Sequence, residues 1–335
     1  MTTVPVALPD HLQQLFAAAE RQRWSALRGR YAPSPTGPLH LGNLRTALLS
    51  WLITRLQGGE WLLRIDDLDT PRNRPGATDA ILADLRWLGL HWDGPVVYQS
   101  QRRGLYATVL SSLRRQGALY PCRCSRRLLA DISAPHGAAA VYPGFCLGKP
   151  PAWGAQQGRL PSWRLRLAAG QLAWNEQVGP PGVLDGQRQV GDVVLRRADG
   201  YLAYHLATAV DELSLGIADV VRGEDLWAAT APQVAVMRRL GGSLPRYWHL
   251  PLWCDPQGQR LSKRQGGQGL AQLRQGGLDA AAVVGLLAAS LELVPAASRL
   301  SSTELLETLS LDDLRLRLKE GFGIKPAESQ HTEIQ

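Results

Sequence analysis

The stretch Pro33-Ser34-Pro35-Thr36-Gly37-Pro38-Leu39-His40-Leu41-Gly42-Asn43-Leu44 decides how this chain is read. It follows a short apolar lead-in, Gly29 to Tyr31. It precedes LRTALLSWLITRL, where Leu44, Leu48, Leu49, Leu52 and Leu56 recur at helical spacing. The order is strand, Gly/Pro-rich turn, helix. Such a turn presents free backbone N–H groups at the positive end of a helix, where phosphate is favoured. Taken alone, the stretch reads as an ordinary βα turn with a capping histidine. It is neither a G-x-G-x-x-G turn nor a Walker loop.

The same alternation continues on both sides. EWLLRIDDLDT (60–70) starts as a buried strand and ends in acidic residues, and ATDAILADLRWLGLHW (77–92) and RRGLYATVLSSLRRQGALY (102–120) are helical patterns. From about 121 to 200 the chain turns rich in Gly and Pro, with short alternating pieces such as SWRLRL, which predicts a smaller, β or irregular module. Strand and helix patterns return with YLAYHLATAVDELSLGIADVVRGED (201–225), APQVAVMRRLGG and YWHLPLWC. Strands alternating with helices predict an α/β fold with a parallel sheet. After 270 the chain reads as Ala/Leu-rich helix to about Leu318 and then as a polar, disordered tail.

Composition narrows the function classes. The chain has 335 residues, 45% of them hydrophobic and 20% charged, the profile of a soluble globular protein with room for two or more domains. The apolar runs are too short for a membrane span, and the first residues lack the pattern of a secretory signal, so a cytoplasmic protein is expected. A net charge of +8, carried almost wholly by arginine, suits an anionic partner.

Two further pieces carry chemistry. Arg260-Leu261-Ser262-Lys263-Arg264, flanked by Gly258 and Gly266-Gly267, is a cationic loop able to fold over phosphates. Cys122, Cys124 and Cys146 crowd together while Cys254 is distant, and in a chain without an export signal that clustering favours a metal over a disulfide. Three thiolates with one more ligand satisfy tetrahedral zinc. His136 would be a conventional fourth ligand and Tyr142 an uncommon one.

His40-Leu41-Gly42-Asn43 and Arg260 to Arg264 together resemble the paired HIGH and KMSKS signatures of class I aminoacyl-tRNA synthetases. The likeness sharpens over residues 29 to 270. Arg30 to Gly37, Arg64-Ile65-Asp66-Asp67-Leu68-Asp69-Thr70, Tyr204-His205-Leu206-Ala207 with Val210-Asp211-Glu212, and Asp219 to Asp225 all look like glutamyl-tRNA synthetase. Only about 70 residues follow Arg264, too few for the anticodon-binding domains of that enzyme. Cys122-Arg123-Cys124 followed by Tyr142-Pro143-Gly144-Phe145-Cys146 is similar to the zinc pattern of its truncated paralogue, glutamyl-queuosine tRNA(Asp) synthetase.

That resemblance implies a Rossmann-like catalytic domain in two pieces, 29–120 and 201–270. It also implies a zinc-bearing, acceptor-type insert at 121–200 and a helical stem at 271–318. Residues 1–28 would be an N-terminal extension and 319–335 a tail, with no anticodon-binding domain. Arg30 and Arg222 would bind the glutamate side-chain carboxylate, Asp66 would accept from its ammonium, and Tyr204 would donate a hydrogen bond. Tyr31, Ala32, Pro33 and Ser34 would line the same cleft. His40, Gly42, Asn43 and Lys263 would bind ATP, with His40 and Lys263 as the catalytic pair. The family pattern places Tyr142 as fourth ligand beside Cys122, Cys124 and Cys146 on one structural Zn²⁺.

The implied reaction is ATP-dependent activation of L-glutamate, with Mg²⁺ on the ATP, and transfer to queuosine on tRNA(Asp) by a monomer. Its alternatives are a minimal glutamyl-tRNA synthetase charging a tRNA 3′ end and a non-catalytic RNA-binding paralogue. Two positions depart from the family. Asp66 stands where glutamate is usual, roughly 1.3 Å shorter in reach, so the backbone would have to move in, Asp67 share the role, or a water bridge the gap. Thr208 stands where full-length glutamyl enzymes tend to have asparagine.

Overall fold

The computed structural model describes residues 5–125, 141–253 and 269–321, together with Leu128. His136, Cys254, the basic loop Arg260 to Arg264 with Lys263, and the tail beyond Gly321 lie outside the described residues.

The first crossover sets the frame. Strand β1 (Gly29–Tyr31) leads through the Pro33–Leu39 turn into helix α2 (Leu41–Arg55), and the chain returns as β2 (Trp61–Ile65). Before them lies α1 (Asp10–Ser25), and after them come α3 (Ala77–Trp87), β3 (Val97–Tyr98) and α4 (Arg103–Arg115). The second half supplies α5 (Tyr204–Ser214), β10 (Asp219–Gly223), α6 (Thr230–Arg239) and β11 (Arg246–Leu250). The main sheet runs β3-β2-β1-β10-β11 and ends on the two-residue strand β7 (Asn175–Glu176), every described pairing in it parallel. This is the expected α/β architecture. β1, β2 and β10 are largely buried because helices cover the faces of a parallel sheet.

The segment between the two halves holds β4 (Leu119–Cys122), β5 (Ser162–Leu165) and β9 (Val193–Arg196) in one antiparallel sheet. β6 (Gln171–Ala173) pairs with β8 (Val183–Asp185) in another. Between β6 and β8 the two-residue strand β7 (Asn175–Glu176) leaves the segment and joins the main sheet beside β11. At the C-terminal end, α7 (Leu270–Gln275), α8 (Ala280–Ala289), α9 (Ser302–Thr308) and α10 (Leu311–Glu320) follow the helical expectation. Leu287, Leu305, Leu314 and Leu318 share one buried cluster with α2 and the sheet. Ser301 and Glu304 form a reciprocal capping box at the start of α9.

Where the helical pattern overran, glycine explains the stop. The pattern from 77 to 92 ends at Trp87, because Gly89 is left-handed at φ 73° and Leu90 N–H bonds back to Leu85 O at 2.9 Å. Gly216 closes α5 in the same way at φ 64°, and an added Cβ there would meet Ala19 O of α1 at 2.3 Å. That close approach docks α1 on α5. Arg23 of α1 is wholly buried at the joint, donating to Ser243 O (2.7 Å) and to Glu212 O (3.3 Å).

Candidate active site

The turn after β1, the start of α2 and the C-terminal ends of β2, β10 and β11 border one cleft of about 580 Å³. That is where an open parallel sheet presents its ligand crevice. Arg30, Tyr31, Ala32, Pro33, Ser34, His40, Gly42, Asn43, Asp66, Tyr204 and Arg222 all line it. Lys263, the remaining residue expected here, lies outside the described residues. The residues on either side of its segment border the cleft: Trp253 lines it, and Gly269 forms an antiparallel bridge with His40.

His40 is the N-cap of α2. Its Nδ1 accepts from Asn43 N–H at 3.3 Å, and its own carbonyl accepts from the Asn43 and Leu44 amides at 2.9 and 3.0 Å. Capping with Nδ1 assigns the ring proton to Nε2. So the plain capping role and a place in the cleft belong to one residue. No side chain fits easily at Gly42, whose added Cβ would meet the His40 ring at 3.2 Å.

The arginines are held by different means. Arg30, buried at 4% exposure, donates from Nε to Glu212 Oε1 (2.9 Å) and from Nη1 to Val221 O (3.1 Å). Arg64 grips Asp66 with two bonds, Nε to Oδ1 at 2.6 Å and Nη2 to Oδ2 at 3.1 Å, and reaches Glu212 at 3.4 Å. Burial pushes the Asp66 carboxyl up to about 6 against the pull of Arg64, and Asp211 adds to the rise. For Glu212 burial acts upward too, but Arg30 and Arg64 outweigh it and hold the carboxyl below its usual range. Asp67 is committed elsewhere, accepting from Ser100 N–H (2.7 Å) and Oγ–H (2.6 Å). Asp66, held by Arg64, lines the cleft, whereas Asp67 is turned to Ser100.

Arg222 rests on a third arrangement. Its Nε donates to His249 Nε2 (3.1 Å), Nη1 to Gln233 Oε1 (2.9 Å) and Nη2 to Thr230 Oγ1 (2.6 Å). Among the described residues it makes no ion pair. Tyr204, on the first turn of α5, is 41% exposed at the cleft. One turn on, Thr208 is wholly buried and its hydroxyl has no hydrogen-bond partner among the described residues. Sequence reasoning assigned no role to Glu212, His249, Thr230 or Gln233. The available signal was polar residues inside otherwise apolar strand and helix runs.

A second constellation lies in the intervening segment. The sulfurs of Cys122, Cys124 and Cys146 lie within 4.8 Å of one another, those of Cys124 and Cys146 at 3.7 Å. The Tyr142 hydroxyl is 3.4 Å from Cys122 Sγ and 3.6 Å from Cys124 Sγ, and Cys146 N–H donates to it at 2.9 Å. Zn–S bonds of about 2.3 Å give a tetrahedral S···S edge of about 3.8 Å, so the donor set fits. Burial raises the Cys122 thiol, but the Tyr142 hydroxyl and Arg164 more than offset this and pull it down. Three cysteines here can hold a metal ion. Among the described residues no helix is long and apolar enough to cross a membrane.

Residues 26–288 match the family "tRNA synthetases class I (E and Q), catalytic domain". A glutamyl-Q tRNA(Asp) synthetase of Prochlorococcus marinus (strain MIT 9303) is 56% identical over 302 residues, 90% of this chain and 94% of that protein. That of Parasynechococcus marenigrum (strain WH8102) is 57% identical over 92% of this chain and 98% of its own. A crystal structure of a glutamate tRNA ligase from Elizabethkingia meningosepticum, in complex with its amino acid, superposes with a TM-score of 0.72 at 27% identity. The match takes in 85% of this chain, which spans 65% of the length of that ligase. The chain belongs to the class I tRNA synthetase family, on its glutamate and glutamine branch, with the glutamyl-Q tRNA(Asp) synthetases.

Proposed function

We propose that the protein activates L-glutamate with ATP and transfers the glutamyl group to queuosine, at the first anticodon position of tRNA(Asp). The observation that supports it best is the single cleft in which Arg30, Asp66, Tyr204 and Arg222 face the capped α2 terminus of His40 to Asn43. Glutamate needs cationic donors for its carboxylates and an acceptor for its ammonium. Arg30 and Arg222 supply the donors as charge-assisted bonds to the side-chain carboxylate, which favours glutamate over glutamine. Asp66 takes the ammonium, and Tyr204 adds a hydroxyl.

An α-carboxylate oxygen of glutamate attacks the α-phosphorus of ATP. The P–O bond to the β-phosphate breaks, and pyrophosphate leaves with the bonding pair. The nucleophile is already ionised, so no general base is required and positioning with charge stabilisation carries the rate. His40 Nε2–H, the α2 terminus and Lys263 stabilise the phosphates. Mg²⁺ bound to ATP supplies further neutralisation of phosphate charge. A queuosine hydroxyl then attacks the acyl carbon, the bond from that carbon to the phosphate oxygen breaks, and AMP departs, its phosphate accepting the hydroxyl proton. Cys122, Cys124, Tyr142 and Cys146 would hold a structural Zn²⁺, which would serve there as a cross-link rather than a reactant.

Incubating the protein with labelled glutamate, ATP and tRNA(Asp) that carries or lacks queuosine tests the reading. Label is expected on the queuosine-bearing tRNA(Asp) alone. Label on tRNA(Glu), or on tRNA(Asp) without queuosine, would refute it.

A further inference from the structure

We propose that His249 and Glu176 are positioning residues for Arg222: a neutral imidazole orients the guanidinium while leaving its charge available to the substrate carboxylate. The proposal rests on the glutamate reading of the cleft and adds two residues to which that reading gives no part.

The register of three neighbouring strands builds the device. Arg222 of β10 lies beside His249 of β11 in the parallel ladder, and Tyr247 of β11 lies beside Glu176 of β7. Side chains two apart on a strand share a face. Accordingly the Tyr247 and His249 rings stack at 5.9 Å with 1° between planes, and the Arg222 guanidinium lies 5.3 Å over Tyr247. A guanidinium is always protonated and only donates. His249 Nε2, 3.1 Å from Arg222 Nε, must therefore be the bare acceptor, and the ring proton is on Nδ1. Nδ1–H points at Glu176 Oε2, 2.5 Å away. Glu176 is fixed in turn by the amides of His249 and Gly179, both 3.2 Å from Oε1, and by Trp174 Nε1 at 3.3 Å.

Why place an imidazole between the two charges? A carboxylate bonded directly to Arg222 would occupy and neutralise the group that has to receive a substrate carboxylate. Arg30 shares Glu212 with Arg64 and keeps N–H groups for the cleft, but it brings less uncompensated charge there than Arg222 does. A neutral ring fixes the Nε edge without cancelling the charge. Three of the five guanidinium N–H groups are taken by His249, Gln233 and Thr230, which leaves two for a carboxylate. His249, Gln233 and Thr230 are wholly buried, so water does not compete for the Arg222 edge they hold. Burial and the nearby Arg222 charge keep the imidazole below its usual range against the raising pull of Glu176, in keeping with the neutral ring.

Glutamate-dependent ATP–pyrophosphate exchange provides the test. His249→Asn keeps a donor near Glu176 but draws the acceptor back from Arg222, whereas His249→Gln keeps the reach. The asparagine variant is expected to raise the KM for glutamate about tenfold, the loss of one charge-assisted bond, with the KM for ATP within about twofold of the parent. The glutamine variant should recover most of the loss. An unmoved glutamate KM, equal effects of the two variants, or parallel changes in both KM values would overturn the proposal. Should the asparagine variant not fold, Glu176→Gln is measured in the same way, and an unmoved glutamate KM there overturns it. A parent enzyme without glutamate-dependent exchange would instead sink the glutamate reading itself.

Discussion

Glu212 is the carboxylate on which two cleft arginines converge, and replacing it with glutamine isolates its charge. Arg30, Arg64 and Glu212 are each at most 4% exposed. Removing one partner of a buried pair costs about 3–5 kcal/mol, because the other charge stays buried without compensation. Glutamine retains an oxygen for the Arg30 Nε–H, which places the cost near the lower end, about 3 kcal/mol. Unfolding entropy of roughly 2.1 cal/mol/K per residue gives about 0.7 kcal/mol/K for this chain, so Tm should fall by about 4 °C. Calorimetry or fluorescence melting of parent and Glu212→Gln reads this directly. The sign of the pH dependence follows from the depressed folded pKa. Such a carboxylate stabilises above its unfolded value of 4.5 and loses that contribution only as pH falls through the lower folded value. The gap in Tm should therefore be the same at about pH 5 and pH 7. A drop of less than about 1 °C, or a gap that closes between those pH values, would refute the reasoning.

Asp66 shifts the other way. With its carboxyl raised to about 6, it takes up a proton as pH falls through that value and loses the charge that attracts an ammonium. The KM for glutamate should rise below about pH 6 and level off above it; a flat profile down to about pH 5 counts against Asp66 as the ammonium acceptor. For the metal, Tyr142→Phe should lower zinc content by elemental analysis while His136→Ala leaves it at that of the parent. The reverse result would exclude the tyrosine.

Much of this site was legible in the residues because its motifs are local. Pro33 to Leu44 carries its own turn, cap and helix start, and the Cys-x-Cys and Tyr-x-x-x-Cys pieces carry the spacing that brings three sulfurs and a hydroxyl together. The support behind the arginines was not legible, because sheet register brings it together. Nothing in YWHLPLWC says that His249 will stand beside Arg222, 27 residues earlier. Nor does the sequence around Glu176 announce that two residues of a Gly/Pro-rich segment will enter the main sheet. Helix ends were overestimated where apolar periodicity runs through a left-handed glycine, as at Gly89. That Asp66 lines the cleft while Asp67 turns to Ser100 was equally invisible from two adjacent acids.

The short strand Asn175–Glu176 has one more consequence. As the last strand of the sheet, β11 would otherwise turn its outer row of backbone groups to solvent, a template on which a strand of another molecule could add. Two residues of β7 pair with Arg246 and Tyr247, and Gln177 N–H continues to Tyr247 O at 2.8 Å. Where backbone pairing stops, the Glu176 side chain takes over and receives the His249 amide. Main chain and side chain together occupy the outer side of β11 from Arg246 to His249, so a two-residue graft leaves that stretch no open ladder for a further strand.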